Sequence, residues 1–472
     1  MSSAPLPLTT AEAVGHDPRT RVLLEAPITR TLLKLGAPNM LVMLVQASIG
    51  LIEVYFIGKL GTEALAGVAL AFPAVMLMQM MSSGAMGGGI SSAVARALGA
   101  KRRPDADALV FHALVIAVAF ALTFMVAVLG GGRWMYTAMG ARGPVLEAAL
   151  TYSNVIFSGV ILLWIFNSLA NVIRGTGNMK VPALVTCIGA ALLIPFSPCL
   201  IFGLGPFPRL GVAGGATAIL LYYAVGSLAF AYYLWSGRSV VRPSLHGAGL
   251  RWPLFRDILK VGAVAVLVSL QTNLTIAIAT GFVGQFGPAA IAGYGTGVRL
   301  EYLLIPVAFG LGAPLVALVG TNIGAGQHRR ALRAAWIGAG IVAAITEAIG
   351  LCAAAFPYAW LTLFDSDPAM LEAGAHYLRA VGPFYGFFGF GMALYFASQG
   401  AGRLKWPLLA NFARLLIAAG GGWLVLASGG DLAHVYLTQS AALAAFGLII
   451  AVAIAGGAWT RGVQPTPRTA TT

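Results

Sequence analysis

Long apolar runs separated by short turns rich in Gly, Pro and charge fill the chain from residue 33 to residue 458. A helix that crosses the hydrocarbon core of a membrane needs about 20 mostly apolar residues, whereas a membrane-spanning strand needs only about 10. These runs are too long for barrel strands and are typical of membrane-spanning helices. We predict twelve spans, over residues 33–57, 64–97, 107–129, 148–173, 181–204, 212–235, 257–284, 290–319, 331–356, 370–398, 405–427 and 432–458.

The composition agrees with this pattern. The 472 residues are 59% hydrophobic and 9% charged, with a mean hydropathy of +0.86, which places the chain in the membrane class. Twelve spans with short loops use nearly the whole length, so no large soluble domain fits. The predicted fold class is therefore all-α, a polytopic membrane protein.

The chain contains an internal duplication. Residues 33–67 align with residues 259–293, and both segments carry Leu-Lys at the start and the spacing Gly-x-x-Gly followed by Ala-Gly at the end. Further along, 98–100 aligns with 323–325 and 174–177 with 399–402. Two copies of six helices result, and because six is even, both copies insert in the same orientation, with a cavity expected between them.

The duplication and the loops divide the chain into five parts. We predict a disordered cytoplasmic tail over 1–31, an N-lobe over 32–237, a cytoplasmic linker over 238–256, a C-lobe over 257–459 and a cytoplasmic C-terminal tail over 460–472.

The basic residues predict the orientation of the chain. Most of the 29 Lys and Arg residues fall on the side that holds both termini, and four (Lys59, Arg133, Arg142 and Arg209) fall on the other. Under the positive-inside rule both termini are cytoplasmic. The net charge of +14 is spread over many short loops, so we expect no nucleic-acid partner.

One acid, Glu53, lies inside the first apolar run. A carboxylate at membrane depth costs a few kcal/mol unless it faces protein or water, so it marks a functional site by default. Asn39, Gln46 and Glu53 are spaced seven residues apart and lie on one stripe of the helix. We predict that this stripe faces a wet lumen, with Asn39 and Gln46 lining the substrate cavity.

Further polar residues lie in other spans. Glu301 is a second candidate for ion coupling, and Asn154, Asn171 and Asn273 are chosen for the cavity. The alternative for each is a hydrogen bond that only holds neighbouring helices together. Neither acid is repeated: Glu53 aligns with Ala279, and Glu301 aligns with Val75 or Met76.

Four stretches together resemble one family. They are PNMLVMLVQASIGLIEVYFIGKLGTEALAG, GGGISSAVARALGA, NSLANVIRGTGNMKVP and LVGTNIGAGQ, and as a set they resemble the multidrug and toxic compound extrusion (MATE) transporters of the MOP flippase superfamily. The resemblance implies two six-helix lobes around a V-shaped cavity and drug efflux driven by H⁺ or Na⁺. It also implies that Glu53 is the N-lobe cation-coupling carboxylate, at a position where the family usually has aspartate.

The chain departs from the family's acid pattern. One branch carries a second acid in helix 5, where this chain has Ser197, and another carries C-lobe acids in helices 7 and 10 that are missing here at membrane depth. Coupling must therefore rest on Glu53, with Glu301 as a possible C-lobe substitute. The lack of a multi-acid site favours H⁺, and Na⁺ at Glu53 is the alternative.

These features predict a secondary-active efflux antiporter for amphipathic or cationic compounds, with no cofactor beyond the coupling ion. We expect a monomer in the plasma (inner) membrane. A flippase for a lipid-linked or other amphiphilic metabolite is the alternative on the same fold. An enzyme would need paired acids, a metal motif or a nucleophile with its base at membrane depth, and the sequence shows none; a channel would show a repeated pore-loop signal.

Overall fold

A computed structural model describes residues 16–243 and 249–459, and every regular element in these ranges is helical. The α-helices are α1 Pro18–Glu25, α2 Ile28–Gly58, α3 Thr62–Gln79, α4 Gly87–Gly99, α5 Arg103–Ala138, α6 Gly143–Ser158, α7 Val160–Gly175, α8 Lys180–Phe202, α9 Val212–Trp235, α10 Trp252–Gly284, α11 Pro288–Gly324, α12 His328–Ala355, α13 Pro357–Leu361, α14 Pro368–Val381, α15 Tyr385–Ala401, α16 Lys405–Ala427 and α17 Leu432–Ala455.

Eleven helices in the described ranges are long and apolar enough to cross a membrane, and α6 with α7, a pair bent by 50°, brings the number to twelve. The predicted all-α class with twelve spans is confirmed. The predicted span boundaries agree with the helices to within a few residues at most ends.

Three spans are interrupted in ways that the sequence analysis did not predict. A π-helical segment, Met80–Met86, joins α3 to α4, and a 3₁₀ turn, Gly382–Phe384, joins α14 to α15. Between α6 and α7 the chain bends at Gly159, where an added Cβ would lie 2.5 Å from the Leu220 side chain of α9. Glycine therefore lets α9 approach the bend closely.

The N-terminal prediction needs a correction. Part of the tail predicted to be disordered forms α1, and α2 begins at Ile28, before the predicted lobe boundary. The backbone of α1 is held by other helices: Asn322 donates to the Leu23 carbonyl at 3.1 Å, and Arg330 donates to the Ala26 carbonyl. Residues 1–15, part of the predicted linker (244–248) and the predicted C-terminal tail (460–472) lie outside the described residues.

The two halves of the chain meet closely where α4 crosses the end of α11. An added Cβ on Gly99 would lie 2.0 Å from the Thr321 carbonyl oxygen, and one on Gly324 would lie 2.1 Å from the Arg96 carbonyl oxygen. Gly99 aligns with Gly324 in the duplication, and Arg96 aligns with Thr321, so the two contacts are reciprocal. The duplicated glycines thus pack the halves together backbone to backbone.

Hydrogen bonds reinforce this end of the molecule. Arg96 forms an ion pair of 2.8 Å with Asp257 of α10, and Ser92 donates to the Gln399 carbonyl of α15. Both bonds join the first half to the second. We call this end of the molecule, where α4 meets α10, α11 and α15, the tied end.

Candidate functional site

The largest enclosed space around Glu53 lies within the first half of the chain. This N-half cavity has a volume of about 270 Å³ and lies between α2, α3, α6, α7, α8 and α9. Its walls are mainly aliphatic and aromatic, and its polar side chains are Gln46, Glu53, Gln79, Tyr152, Tyr222 and Tyr223. An apolar cavity with a few polar groups is the usual form of a small-molecule site.

Glu53 is held at one side of the N-half cavity. Glu53 is 8% exposed, and the Tyr152 hydroxyl of α6 donates to Glu53 Oε1 at 3.0 Å. An added Cβ on Gly215 would lie 3.2 Å from the same oxygen, so the absence of a side chain there lets α9 approach the acid. Glu53 and Gln46, two members of the polar stripe, line this cavity together.

Ser197 also lies beside Glu53. Both line a small space of about 10 Å³, and the Ser197 hydroxyl is buried with no hydrogen-bond partner among the described residues. A space of that size accommodates roughly one water molecule. The position where one family branch has a second acid therefore does face Glu53, but it offers a neutral hydroxyl.

Asn39 contacts the second half of the chain, whereas Gln46 and Glu53 on the same stripe line the N-half cavity. Its amide donates to the Phe309 and Gly310 carbonyls of α11 at 3.0 and 3.1 Å. Pro314 has no N–H to bond the Gly310 carbonyl four residues earlier, so Asn39 supplies a donor to that carbonyl from the other half. Asn39 joins the halves rather than lining the N-half cavity.

Asn39 does line a second space, which we call the axial cavity. It has a volume of about 30 Å³ and takes its walls from both halves. Several wall residues are aligned pairs of the duplication, one from each half: Gly84 with Phe309, Gly88 with Ala313, Ser91 with Val316, Asn171 with Phe396, and Arg174 with Gln399. The axial cavity therefore lies on the axis that relates the two halves.

Asn171 lines the axial cavity. Its amide donates to the Asn167 carbonyl at 2.8 Å and to the Ser83 carbonyl of the π-helical segment at 3.2 Å. The wider turn of that segment presents this carbonyl to α7.

Arg174, at the end of α7, is a buried cation that the sequence analysis did not include among its candidate site residues. It is 5% exposed and lines the axial cavity, and its guanidinium forms neither an ion pair nor a hydrogen bond within residues 16–243 and 249–459. Arg174 lies in the last turn of α7, where the partial negative charge of the terminal carbonyls stabilises a cation. This stabilisation offsets part of the free-energy cost of burying the charge. The signal in the sequence was that Arg174 aligns with the neutral Gln399.

Asn154 and Asn273 do not share these sites. Both are exposed, and neither lines the N-half cavity or the axial cavity. The Asn273 amide instead donates to the Ser269 carbonyl of its own helix at 2.9 Å. This bond lies within α10, so the observed contact matches neither a cavity-lining role nor a bond between neighbouring helices.

Glu301 lies in the second half, within a cluster of aromatic rings. The Tyr377 hydroxyl of α14 donates to Glu301 Oε1, and the Tyr377 ring packs against Tyr294 and Tyr436 at centroid distances of 5.1 and 5.2 Å. Arg414 of α16 is close enough for its charge to act on Glu301. Glu301 and Glu53 thus belong to two separate sites.

The tyrosine partners are the feature that the sequence analysis missed. Tyr152 aligns with Tyr377 in the duplication, and each donates a hydrogen bond to a glutamate. A search for polar residues repeated in both halves would have found them.

Comparison with known proteins identifies the family. The MatE family model matches residues 38–199 and 265–424. The chain belongs to the MatE family. The matched ranges fall in the two halves of the duplication, and MatE members are transporters.

Several curated relatives of this MatE protein are named for transport, export or multidrug resistance. It is 28% identical to the FAD transporter of Shewanella oneidensis, over 84% of this chain and 87% of the relative. It is 25% identical to the probable multidrug resistance protein NorM of Thermotoga maritima, over 82% of each. It is 23% identical to the multidrug export protein MepA of Staphylococcus aureus, over 75% of this chain and 78% of the relative.

Solved structures show the same fold. A MOP superfamily transporter from Pyrococcus furiosus superposes with a TM-score of 0.82 at 25% identity, over 93% of this chain and 97% of that one. An outward-facing MATE family transporter superposes with a TM-score of 0.83 at 24% identity, over 94% and 99%.

Proposed function

We propose that this MatE protein is a secondary-active antiporter that exports amphipathic or cationic compounds in exchange for H⁺. The observation that carries the proposal is Glu53, a buried carboxyl bonded to Tyr152 at the side of an otherwise apolar cavity. A single ionisable group facing a cargo cavity lets proton binding and cargo binding influence each other. The protein would act as a monomer in the plasma membrane, with both termini cytoplasmic.

The oxygens around Glu53 support H⁺ over Na⁺. Its neighbours are the Tyr152 and Ser197 hydroxyls, and the small space beside it has room for about one water. A sodium ion needs a shell of several oxygens, whereas a proton needs one carboxyl. Glu301, bonded to Tyr377, is proposed as a second coupling group in the other half.

Alternating access would act on the tied end of the molecule. The reciprocal contacts of Gly99 with Thr321 and Gly324 with Arg96 close one end between the halves. Export requires these contacts to open when the cavity faces the cytoplasm and to re-form when it faces outward.

The test measures transport of a fluorescent cationic dye into everted vesicles. An imposed pH gradient drives the transport in one series, and an imposed Na⁺ gradient drives it in another. Wild type is expected to transport the dye under the pH gradient. Dye transport by Glu53→Gln, expressed in the membrane at the same level, is expected to fall to the background of vesicles that lack the protein. Glu63→Gln, which removes an exposed acid at the start of α3, is the matched control and should retain transport.

Two outcomes would change this proposal. Transport driven by the Na⁺ gradient alone would keep Glu53 and change the ion. Undiminished proton-driven transport by Glu53→Gln would remove the coupling role from Glu53.

A second candidate is export of an anionic amphiphilic metabolite. Two observations favour it: the Shewanella relative is named a FAD transporter, and Arg174 is buried in the axial cavity with no acidic partner in the described part of the chain. A flavin dinucleotide has an apolar ring system and a diphosphate, which suit an apolar cavity and a cation. Comparing efflux of flavin dinucleotide with efflux of the cationic dye separates the two candidates.

A further inference from the structure

A basic groove lies on the outside of the first half, apart from both cavities of the proposed transport route. It has a volume of about 440 Å³ and is formed by α1, the first turns of α2, and the turn that leads into α8. Four cationic side chains line it: Arg19, Arg30, Lys34 and Lys180. All four are exposed, so a ligand can reach them.

Among the residues that the structure describes, no carboxylate lines the basic groove. Of the two acids nearest in sequence, Asp17 accepts a hydrogen bond from the Arg19 backbone at the start of α1, and Glu25 forms no ion pair with any of the four cations in the described ranges. Four cations around one space repel one another, so the groove favours an anion.

The lack of pairing sets these cations apart from other basic residues at the same end of the spans. Arg96 pairs with Asp257 at 2.8 Å, and Arg251 pairs with Asp105 at 2.9 Å. Within residues 16–243 and 249–459, none of the four groove cations forms an ion pair. An excess of positive charge at this end is expected from membrane topology alone, but convergence of unpaired charges on one space is not.

The other walls of the groove indicate what kind of anion fits. Val22, Leu23, Leu35, Pro38 and Met179 supply an apolar surface. On the polar side, the Tyr233 hydroxyl accepts hydrogen bonds from Arg19 Nη1 at 2.8 Å and from Asn178 Nδ2 at 2.9 Å, which fixes the Arg19 guanidinium. A ligand with a phosphate and adjoining hydrocarbon chains matches both surfaces.

We propose that the basic groove binds the headgroup of an anionic phospholipid. The first turns of α2 and α8 lie where these spans meet the membrane boundary, so a lipid can place its phosphate among the cations and its acyl chains along the apolar wall. Basic pockets between membrane helices on the cytoplasmic side commonly bind acidic headgroups in this way.

The bound lipid would also hold α1 in position. This helix contacts both halves, since Arg19 bonds Tyr233 of α9, while the Leu23 and Ala26 carbonyls accept bonds from Asn322 of α11 and Arg330 of α12. Lipid in the groove therefore stabilises the conformation in which this end is tied. This proposal does not depend on the cargo or on the coupling ion.

The experiment measures lipid binding to the purified full-length protein in detergent. Native mass spectrometry is used to titrate phosphatidylglycerol against phosphatidylcholine of the same acyl chains, and thermal unfolding is followed with each lipid. Wild type is expected to retain one phosphatidylglycerol in preference to phosphatidylcholine and to unfold at a higher temperature with it. The variant Arg30→Gln/Lys34→Gln/Lys180→Gln is expected to lose at least about tenfold in phosphatidylglycerol affinity, since each basic residue contributes to anionic-lipid attraction.

The matched control is Arg103→Gln/Arg329→Gln/Arg333→Gln, which removes the same charge from exposed positions of the same end but outside the groove. It should keep wild-type affinity. Val22→Glu, a single exposed change in the groove wall, adds a negative charge beside the phosphate and is expected to reproduce the loss if the triple variant unfolds.

Three results would overturn the proposal. One is equal loss in the groove and control variants, which would make the effect one of overall charge. Another is unchanged affinity in both the triple variant and Val22→Glu. The third is displacement of the lipid by millimolar glycerol phosphate, which would make the groove a site for a soluble phosphate.

Discussion

The two glutamates of this protein accept hydrogen bonds from two tyrosines at equivalent positions of the duplication, but they come from different helices. Tyr152 and Tyr377 are aligned in the duplication, yet Glu53 comes from α2, whereas Glu301 comes from α11. The positions in the first half that align with Glu301, Val75 and Met76, line the N-half cavity beside Glu53. Each half therefore has a tyrosine that can bind an acid, but the acid comes from α2 in the first half and from α11 in the second.

The acids stand out in the local sequence pattern and the tyrosines do not, for a physical reason; the tyrosines stand out only when the two halves are compared. A carboxylate inside an apolar run is costly and therefore stands out. A tyrosine is common in membrane helices because its ring packs well and its hydroxyl finds a partner, so nothing in the local pattern marks Tyr152.

Removing the tyrosine hydroxyl tests whether this bond matters for transport. Tyr152→Phe keeps the ring and deletes the donor to Glu53, and a hydrogen bond to a charged group contributes roughly 1.5–3 kcal/mol. We expect proton-driven dye efflux to fall several-fold, less than in Glu53→Gln, with the protein still folded. Initial rates at saturating cargo over a series of pH gradients measure this effect.

Tyr377→Phe is the matched comparison in the other half. A similar loss would support a coupling role for Glu301, whereas unchanged efflux would make the Glu301–Tyr377 bond structural. Unchanged efflux in Tyr152→Phe would show that the carboxyl works without its donor.

At the scale of elements, hydropathy predicted where the helices lie but not where they break. The length of an apolar run follows from the membrane thickness, which is why the span boundaries agree. The bends at Gly159 and Gly382 depend on neighbours distant in sequence: Leu220 approaches the first, and Gly350 the second, where an added Cβ would lie 2.7 Å from the Gly350 carbonyl oxygen. Helix α1 was missed for the same reason, since it is short and bonded to α11 and α12.

The crossing of α4 and α11 depends on glycine at both contact points. In Gly99→Ala the new methyl group would lie 2.0 Å from the Thr321 carbonyl oxygen, which is backbone and can move only with its helix. Overpacking of this kind typically costs about 1–3 kcal/mol. We expect a lower thermal unfolding midpoint and a less stable tied end, measured by thermal unfolding of the purified protein in detergent.

The control for this change is Gly130→Ala in α5, where no atom lies within 4 Å of the added Cβ. It should leave the midpoint unchanged or raise it slightly, because alanine favours helix by up to about 1 kcal/mol over glycine. If Gly99→Ala unfolds at the same temperature as wild type, the close crossing is not needed to hold the halves.

At the scale of the whole molecule, the duplication predicted the packing of the halves better than their chemistry. Aligned glycines meet aligned carbonyls: an added Cβ on Gly175 would lie 2.7 Å from the Ser91 carbonyl oxygen, and one on Gly400 would lie 2.6 Å from that of Val316. These contacts were kept in both copies because any side chain there would separate the helices. Side chains that face the axis were free to diverge, so the axial cavity has Asn171 and Arg174 on one side and Phe396 and Gln399 on the other.

That divergence makes Arg174 the clearest test of cargo charge. Arg174→Gln places the same residue on both sides of the axis and removes the buried charge that Arg174 brings to the axial cavity. If the cargo is anionic, efflux of flavin dinucleotide should fall by about tenfold or more, since losing a hydrogen bond to a charged group costs roughly 1.5–3 kcal/mol and 1.4 kcal/mol is tenfold. Efflux of the cationic dye should not fall with it.

Arg174→Lys, which keeps the charge, is expected to retain part of the flavin transport. Equal loss of both cargoes, together with a lower unfolding temperature, would instead assign Arg174 to holding the halves together.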